Sequence, residues 1–505
     1  MSKKMEWRLF RLVFIIVLSC ICLSKNAVAQ ITVEFSPKLQ KAYFEIQKLR
    51  LNPARQLVES EKSSPEINAF IPYLDSYGDL HYLLISEDIA AYKQFTEQEG
   101  KRLEIIGKLP DNSPYKRFLQ AEIRLHNAFA KLKFGSEVGG SWEIIKAYKL
   151  LEENHRKFPD FLPTLKSLGL LHVLIGSIPE NYSWVARILG LKGNIKEGIA
   201  EIRLVEKEEP FFRQEAELVD LLLHAYTLQL SAAQLARLKQ WPKEQRDNLL
   251  LHFFATTVWM KEGKSEEAAE FLMDVPTGNS YIAFPFLNYL RAEIHLQKGN
   301  YASAIRDYQL FLSQYKGFNY IKDSNFKIFM CFWLLDKSAE ANAYISKIKT
   351  SGKTIIEADQ FAERIAQEFS AGKIGAQQKI LYRARYATDG GFLTEAYKLI
   401  ETSTETNFPS ESEKAEFNYR KARILQKLEK NSQATPYFQR SIQLAQNISP
   451  GFAALSALQL GYVYLSKKDL AKAAAYFKQA ISYKKHEYKN SVDNKARAAL
   501  TQMEK

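Results

Sequence analysis

The sequence predicts an all-α protein built as an α-solenoid, a right-handed superhelix of antiparallel helix pairs. The chain has 505 residues, too many for one compact core. It contains 31 Phe and 26 Tyr but only 22 Gly and 16 Pro, which favours long helices joined by short turns over a turn-rich β fold. A pairing of small and bulky residues also recurs along the chain at intervals of 36 to 39 residues.

The clearest unit of this repeat spans residues 457–480. Its first helix carries Gly461 and Tyr464 on one face, and its return helix carries Ala473 and Phe477 on the matching face. Small residues let two helix backbones approach closely, and the aromatic rings fill the space beside them. The pattern therefore predicts an antiparallel pair of helices that cross at Gly461 and Ala473.

Four upstream units repeat this frame, each with one small residue in the first helix and one in the return helix. These pairs are Thr256 and Ala268, Ala292 and Ala304, Ala384 and Ala396, and Ala422 and Ala434. A degenerate unit with Phe329 and Ala341 lies between the second and the third pair. One such spacing could arise by chance, but five or six of them indicate a repeat architecture.

The first half of the chain is less regular. Gly169 and His172 open a first helix, but its return helix begins only near Asn194. Residues 179–192 form an insertion between the two helices, and Tyr182, Trp184 and Arg187 in this insertion are candidate surface residues for binding a partner.

Together these residues resemble the tetratricopeptide-repeat (TPR) superfamily over roughly residues 113–487, most specifically over 288–315 and 415–483. The layout also resembles exported TPR proteins of Bacteroidetes-type bacteria. The resemblance implies a superhelix whose first helices line a concave groove, and a function in binding proteins or peptides there.

The predicted organisation has seven parts. They are a signal peptide (1–29), an irregular N-terminal helical region (30–110), divergent TPR-like helices with the insertion (111–245), TPR-like repeats (246–350), a connecting helical segment (351–376), C-terminal TPR repeats (377–490) and a helical tail (491–505).

The N-terminus predicts export. A basic start precedes an apolar run of residues 12–23, and Ala27-Val28-Ala29 ends it with the small-x-small pattern of a cleavage site. The run is shorter than the roughly 20 residues that span a bilayer. A lipidated Cys20 is the alternative, because residues 17–20 resemble a lipobox. We expect a periplasmic protein, with peripheral association with the outer membrane as a further expectation.

Charge and composition narrow the class of partner. The formal net charge is +13, with no block of five or six basic residues. This excess favours acidic partners over basic ones, and export argues against nucleic acid. After cleavage only Cys331 would remain, in an apolar setting that predicts a buried thiol.

The sequence does not predict an enzyme, a cofactor or a metal site. It contains no HExxH, GxSxG, Walker A or GxGxxG motif, and its eight His show no metal-ligand spacing. His172 and His295 hold positions where the repeat places an aromatic, which predicts packing roles for both.

The predicted binding surface is the groove. Residues just beside the packing stripe of the first helices should face inward, and the candidates are Tyr289, Glu293, Arg385, Tyr419, Arg423 and Tyr462. Arg grips carboxylates and Tyr offers rigid contact area, so an acidic peptide is the expected ligand. A glycan- or cell-wall-binding protein is the alternative function, which would favour a lipidated N-terminus and an aromatic cluster around Trp184.

We predict that the exported protein begins at Gln30. Intact-mass measurement of the protein purified from the periplasm should give the mass of residues 30–505. A mass that includes residues 20–29 and a lipid would instead establish the lipoprotein.

Overall fold

A computed structural model of the protein describes residues 31–63, 66–178, 186, 188–445, 447–486 and 489–503. These residues form 24 α-helices and two two-residue strands, Ile31–Thr32 (β1) and Ile67–Asn68 (β2), which pair in parallel. The all-α prediction is therefore confirmed. None of the described helices is long and apolar enough to cross a membrane.

Ten of these helices, the first set, lie within residues 37–244, and fourteen, the second set, lie within residues 249–503. In the first set they are α1 (Pro37–Gln47), α2 (Leu51–Lys62), α3 (Phe70–Ser86), α4 (Ile89–Gly107), α5 (Pro114–Lys133), α6 (Glu137–Lys157), α7 (Pro163–Gly176), α8 (Ile195–Glu208), α9 (Arg213–Tyr226) and α10 (Ala232–Glu244). In the second set they are α11 (Leu249–Lys261), α12 (Ser265–Met273), α13 (Phe286–Gln297), α14 (Tyr301–Gln314), α15 (Ile321–Leu334), α16 (Ser338–Thr350), α17 (Glu357–Ser370), α18 (Lys379–Gly390), α19 (Leu393–Ile400), α20 (Glu411–Lys427), α21 (Asn431–Ala445), α22 (Pro450–Ser466), α23 (Leu470–Ser482) and α24 (Lys489–Met503).

The turns inside the helix pairs share one backbone feature. In eight pairs of the described chain, the residue two places before the second helix has a left-handed conformation, with φ between 61° and 85°. These residues are Leu49, Gly135, Gly263, Gly299, Asp336, Gly391, Glu429 and Lys468. From Gly263 to Lys468 they recur every 36 to 39 residues, except between Asp336 and Gly391. The turn thus repeats with the same period as the small residues of the helices.

The predicted small residues lie where the paired helices cross. Ala292, Ala304, Ala422, Ala434 and Ala473 are all 0% exposed. At Gly461 an added Cβ would lie only 2.4 Å from Cε1 of Phe477, a distance no real Cβ tolerates. In α12 the buried bulky residue is Phe271, whereas its neighbour Leu272 is half-buried.

The first helices of the repeats form a continuous inner row. Helix α11 contacts α13, α13 contacts α18, and α18, α20, α22 and α24 follow one another in the same way. The second helices pack against their own partner and the first helix that follows, as α21 packs on α20 and α22. Contact along one row and not the other curves the stack, so the first helices lie on the inside of the superhelix.

A three-helix unit lies outside the row. Helices α15 and α16 are followed by α17, which packs on α15, and α13 therefore contacts α18 directly. Asp359 on α17 caps the N-terminus of α15, because its carboxylate accepts hydrogen bonds from the backbone N–H of Tyr320 at 2.7 Å and of Asp323 at 2.9 Å. Burial raises the pKa of Asp359 to about 6. This extra helix explains the longer interval between Asp336 and Gly391.

Helices α1 to α9 share one hydrophobic core, and a buried charge network lies within it. Lys166 on α7 contacts Glu122 on α5 at 2.6 Å and Glu215 on α9 at 2.9 Å. Glu215 also accepts a hydrogen bond from the hydroxyl of Tyr43 on α1 at 2.5 Å. Burial acts to lower the pKa of Lys166, but attraction to Glu122 and Glu215 outweighs it and raises the pKa. The network joins four helices that are far apart in sequence.

The N-terminal helices also pack against the repeats. Glu87, which ends α3, accepts hydrogen bonds from the backbone N–H of Phe318 and of Asn319, both at 2.9 Å. The backbone N–H of Ile282 donates to the carbonyl of Leu49 at 3.0 Å. The start of the chain is thereby fastened to the middle of the solenoid.

The contact at Gly461 predicts that Gly461→Leu destabilises the protein by about 1–3 kcal/mol, because the added side chain would overlap the ring of Phe477. Thermal unfolding followed by circular dichroism measures the effect. Gly100→Leu on α4 is the control, since a Cβ there meets no atom within 4 Å. Equal melting temperatures for Gly461→Leu and the parent would contradict the crossing at this point.

The repeated turn predicts opposite effects for two neighbouring lysines. Lys468 has φ 61°, whereas Lys467 has φ −85°. Lys468→Gly should stabilise the protein by up to about 1 kcal/mol, because a left-handed backbone costs an L-residue roughly that much more than glycine. Lys467→Gly should destabilise it, since there glycine only adds freedom to the unfolded chain. Both variants lose one lysine, so denaturant titration compares the backbone effect directly, and the same sign for both would contradict it.

Candidate functional site

Tyr289 and Glu293 lie on α13 in a polar group shared with α15. Tyr289 is 7% exposed, and its hydroxyl donates to Asp323 at 2.6 Å. The half-buried Glu293 pairs with Lys327 at 3.4 Å and accepts a hydrogen bond from the hydroxyl of Tyr308. Burial, then the charge of Asp323, raises the pKa of Tyr289 well above its usual value. The polar groups of both candidates are thus engaged within the protein, which leaves little of Tyr289 for a partner.

The two tyrosines of the C-terminal repeats differ in exposure. Tyr419 is 7% exposed and packs against Phe438 and Phe452, with ring centroids 6.3 and 5.7 Å away. Tyr462 is half-buried, and its hydroxyl donates to the backbone carbonyl of Lys495 on α24 at 3.5 Å. Tyr462 therefore lies at the join between the last repeat and the final helix.

Arg385 and Arg423 contact different helices, Arg385 contacting α17 and Arg423 contacting α22. The guanidinium of Arg385 lies over the ring of Phe361 on α17 and 3.7 Å from Asp389. The guanidinium of Arg423 donates to Gln459 on α22 at 2.8 Å and to Gln426 at 2.5 Å. Of the six predicted groove residues, Arg423 and Tyr462 come together, because both lie beside Lys495. A role for any of the six in binding remains a prediction.

Arg423 belongs to a group of four cations that we call the inner cation cluster, formed by Lys261, Arg423, Lys427 and Lys495. Lys427 reaches from α20 to the backbone carbonyl of Thr388, at the end of α18, at 3.0 Å. Its ammonium also lies beside the turn at Gly263, directly after the helix that ends in Lys261. Lys261 donates to the carbonyl of Ala225 at the end of α9.

The cations of this cluster repel one another. Burial, then the charges of Lys261 and Arg423, lowers the pKa of Lys495. Burial, then the charge of Arg423, lowers the pKa of Lys427, against the opposing charges of Asp389 and Glu262. Within the described chain, the hydrogen bonds of Lys261, Arg423 and Lys427 go to neutral oxygens rather than to carboxylates. An added anion would relieve this repulsion.

Sequence reasoning identified Arg423 in this cluster but not the three lysines. Lys261 and Lys427 each stand five residues after the small residue of their helix, Thr256 and Ala422. The repeat pattern could therefore have identified both lysines, because each lies one helical turn after the frame position that Arg423 holds in α20. No signal in the sequence connects Lys495 with Lys261, because α11 and α24 meet only through the curvature of the stack.

The remaining predicted features are the insertion, Cys331 and His295. Tyr182, Trp184 and Arg187 of the insertion lie outside the described residues. Cys331 is 0% exposed, and burial raises the pKa of its thiol, as its apolar setting predicted. His295 is half-buried on α13.

Residues 415–448 and 455–487 match the family model of the tetratricopeptide repeat. These segments cover most of α20 with α21 and most of α22 with α23, the pairs in which the small-aromatic frame is clearest. The match supports the predicted TPR superfamily for this part of the chain. A search of curated proteins finds no significant match. TPR repeats are typically scaffolds for protein–protein interaction, and this coarse assignment applies to the C-terminal pairs.

Proposed function

We propose that the protein is a non-enzymatic scaffold or adaptor of the bacterial cell envelope that binds an acidic protein or peptide on the inner face of its repeats. The inner cation cluster is the observation that carries this proposal. Four cations from α11, α20 and α24 gather there, and burial, followed by repulsion among them, lowers the pKa of Lys427 and Lys495. A carboxylate of a bound peptide would gain charge-assisted hydrogen bonds and relieve that repulsion.

Curvature of the inner row supports the same proposal. Residues that are 234 positions apart in sequence, Lys261 and Lys495, act on one another across the inner face. A carboxylate group of a peptide that contacts both lysines would bridge α11 and α24. Tyr462 lies next to the cluster, because its hydroxyl donates to the backbone carbonyl of Lys495.

The cell-envelope location rests on the N-terminal sequence alone. The basic start, short apolar run and Ala27-Val28-Ala29 pattern indicate export, and they lie outside the described residues. Peripheral contact with the outer membrane is part of the proposal and would follow from lipidation at Cys20 or from the partner.

We predict that Arg385→Ala combined with Arg423→Ala weakens binding by about 2–4 kcal/mol, if each arginine makes one charge-assisted bond to the partner. The mature chain would be immobilised and used to capture proteins from envelope extract, and the dissociation constant of the strongest partner would then be measured at several salt concentrations. A poly-glutamate peptide tests the acidic preference directly, with polylysine as its counterpart.

The matched control is Arg306→Ala combined with Arg440→Ala. Both of these arginines are exposed and lie on second helices, α14 and α21, so the net charge changes equally while the inner face is untouched. Circular dichroism should be the same for both double variants. If the two lose affinity equally, the partner responds to overall charge, and the inner face is not the binding site.

A further inference from the structure

Three carboxylates meet around the imidazole of His172. His172 lies on α7 and is 6% exposed, and its Nδ1 lies 2.7 Å from a carboxylate oxygen of Glu201 on α8. Its Nε2 lies 3.5 Å from Glu152 on α6. Glu197 stands one turn before Glu201 on α8. One ligand atom from each of His172, Glu197 and Glu201 lies within 4.8 Å of the other two.

The charges at this point do not balance. Within the described chain, Glu152 and Glu201 form ion pairs with His172 only, and Glu197 forms none. Glu143, on the same helix as Glu152, shows the contrast: it pairs with Arg124, Lys131 and Lys146. Even a protonated His172 carries one positive charge against three carboxylates. Among the described side chains around His172, the carboxylates thus outnumber the one cation, and a divalent cation would neutralise this excess.

We propose that His172, Glu197 and Glu201 form a binding site for a divalent transition-metal ion, with zinc as the first candidate. One imidazole nitrogen and two carboxylate oxygens make a three-ligand set of the kind that leaves a fourth position for water. Ligands of a tetrahedral zinc ion lie about 3.4 Å apart, so small side-chain rotations would close the present spacing. The imidazole favours zinc over magnesium or calcium, which prefer all-oxygen sites.

The surroundings provide the outer support that such a site needs. The backbone N–H of Asn194 donates to the carbonyl of His172 at 3.1 Å and so holds the start of α8 against α7. Gly169 and Gly198 bring the two helices into close contact, since a Cβ on Gly169 would lie 2.6 Å from the carbonyl oxygen of Gly198. Glu152 lies beyond the opposite ring nitrogen, where it can orient the imidazole. The ion would thus clamp α7 to α8 at the point where the insertion leaves the repeat.

Zinc binding to the mature chain tests the proposal. The affinity tag is removed, metal is stripped with a chelator, and ZnCl₂ is titrated by isothermal calorimetry, with MgCl₂ and CaCl₂ in parallel. We expect one zinc ion per chain, at low micromolar affinity or better, and a higher melting temperature in zinc. Glu197→Gln and His172→Gln should each weaken zinc binding at least about 10-fold.

The control is His295→Gln. His295 lies 3.6 Å from Asp307, so it offers a histidine and a carboxylate without the further acids. Because Glu197 is exposed, Glu197→Gln should fold normally and decides the question even if His172→Gln misfolds. Failure of zinc to bind, tighter binding of magnesium or calcium, or unchanged affinity in Glu197→Gln would each overturn the proposal. None of these results bears on peptide binding by the inner cation cluster.

Discussion

The buried carboxylate of Glu87 holds the two parts of the molecule together. It accepts hydrogen bonds from the backbone of Phe318 and Asn319 and from the side-chain amide of Asn319, and it pairs with Lys133 at 2.6 Å. Burial acts to raise the pKa of Glu87, but Lys133 and the donated N–H groups outweigh it and lower the pKa. Removing one partner of such a buried group typically costs about 3–5 kcal/mol. Together with the bond between Ile282 and Leu49, this side chain therefore fixes the position of α1 to α4 against the repeats.

The contact between Glu87 and the backbone at residues 318 and 319 also bears on how the following repeats pack. The Glu87 contact lies in the loop before α15, which is also the helix that Asp359 of α17 caps. Two carboxylates thus organise the backbone between residues 318 and 323, one from each side. With α15 to α17 held out of the row, α13 meets α18, and the turns at Gly263 and Gly391 come into contact. That tight curvature brings Lys261 within reach of α20 and α24.

The curvature also explains why some candidate groove residues are buried and others are only half-buried. Tyr289 and Tyr419 stand three residues before a small residue of the crossing, and both are 7% exposed because rings of their own second helices and of neighbouring segments pack over them. Arg423 and Tyr462 stand one residue after it and remain half-buried. In a tightly wound stack, part of what would line an open groove becomes packing between repeats. The last turn of each first helix then contributes more of the inner surface, and Lys261 of α11 and Lys427 of α20 lie in that turn.

The sequence by itself determined the all-α class, the helix pairs of the second half and the small residues at their crossings. These features are local, since a helix pair shows its own period and its closest contact within about 40 residues, the length of one repeat. It also placed the start of the return helix beyond the insertion, near Asn194. Only the tertiary structure decided the contact of Glu87 with Phe318, the inner cation cluster and the carboxylates around His172. The first two of these join helices that the sequence separates by up to 234 residues, and their partners are set by how far the stack curves. The carboxylates around His172 lie on adjacent helices, but only the packing of α6, α7 and α8 shows that they face one imidazole. No residue pattern within one repeat encodes that curvature.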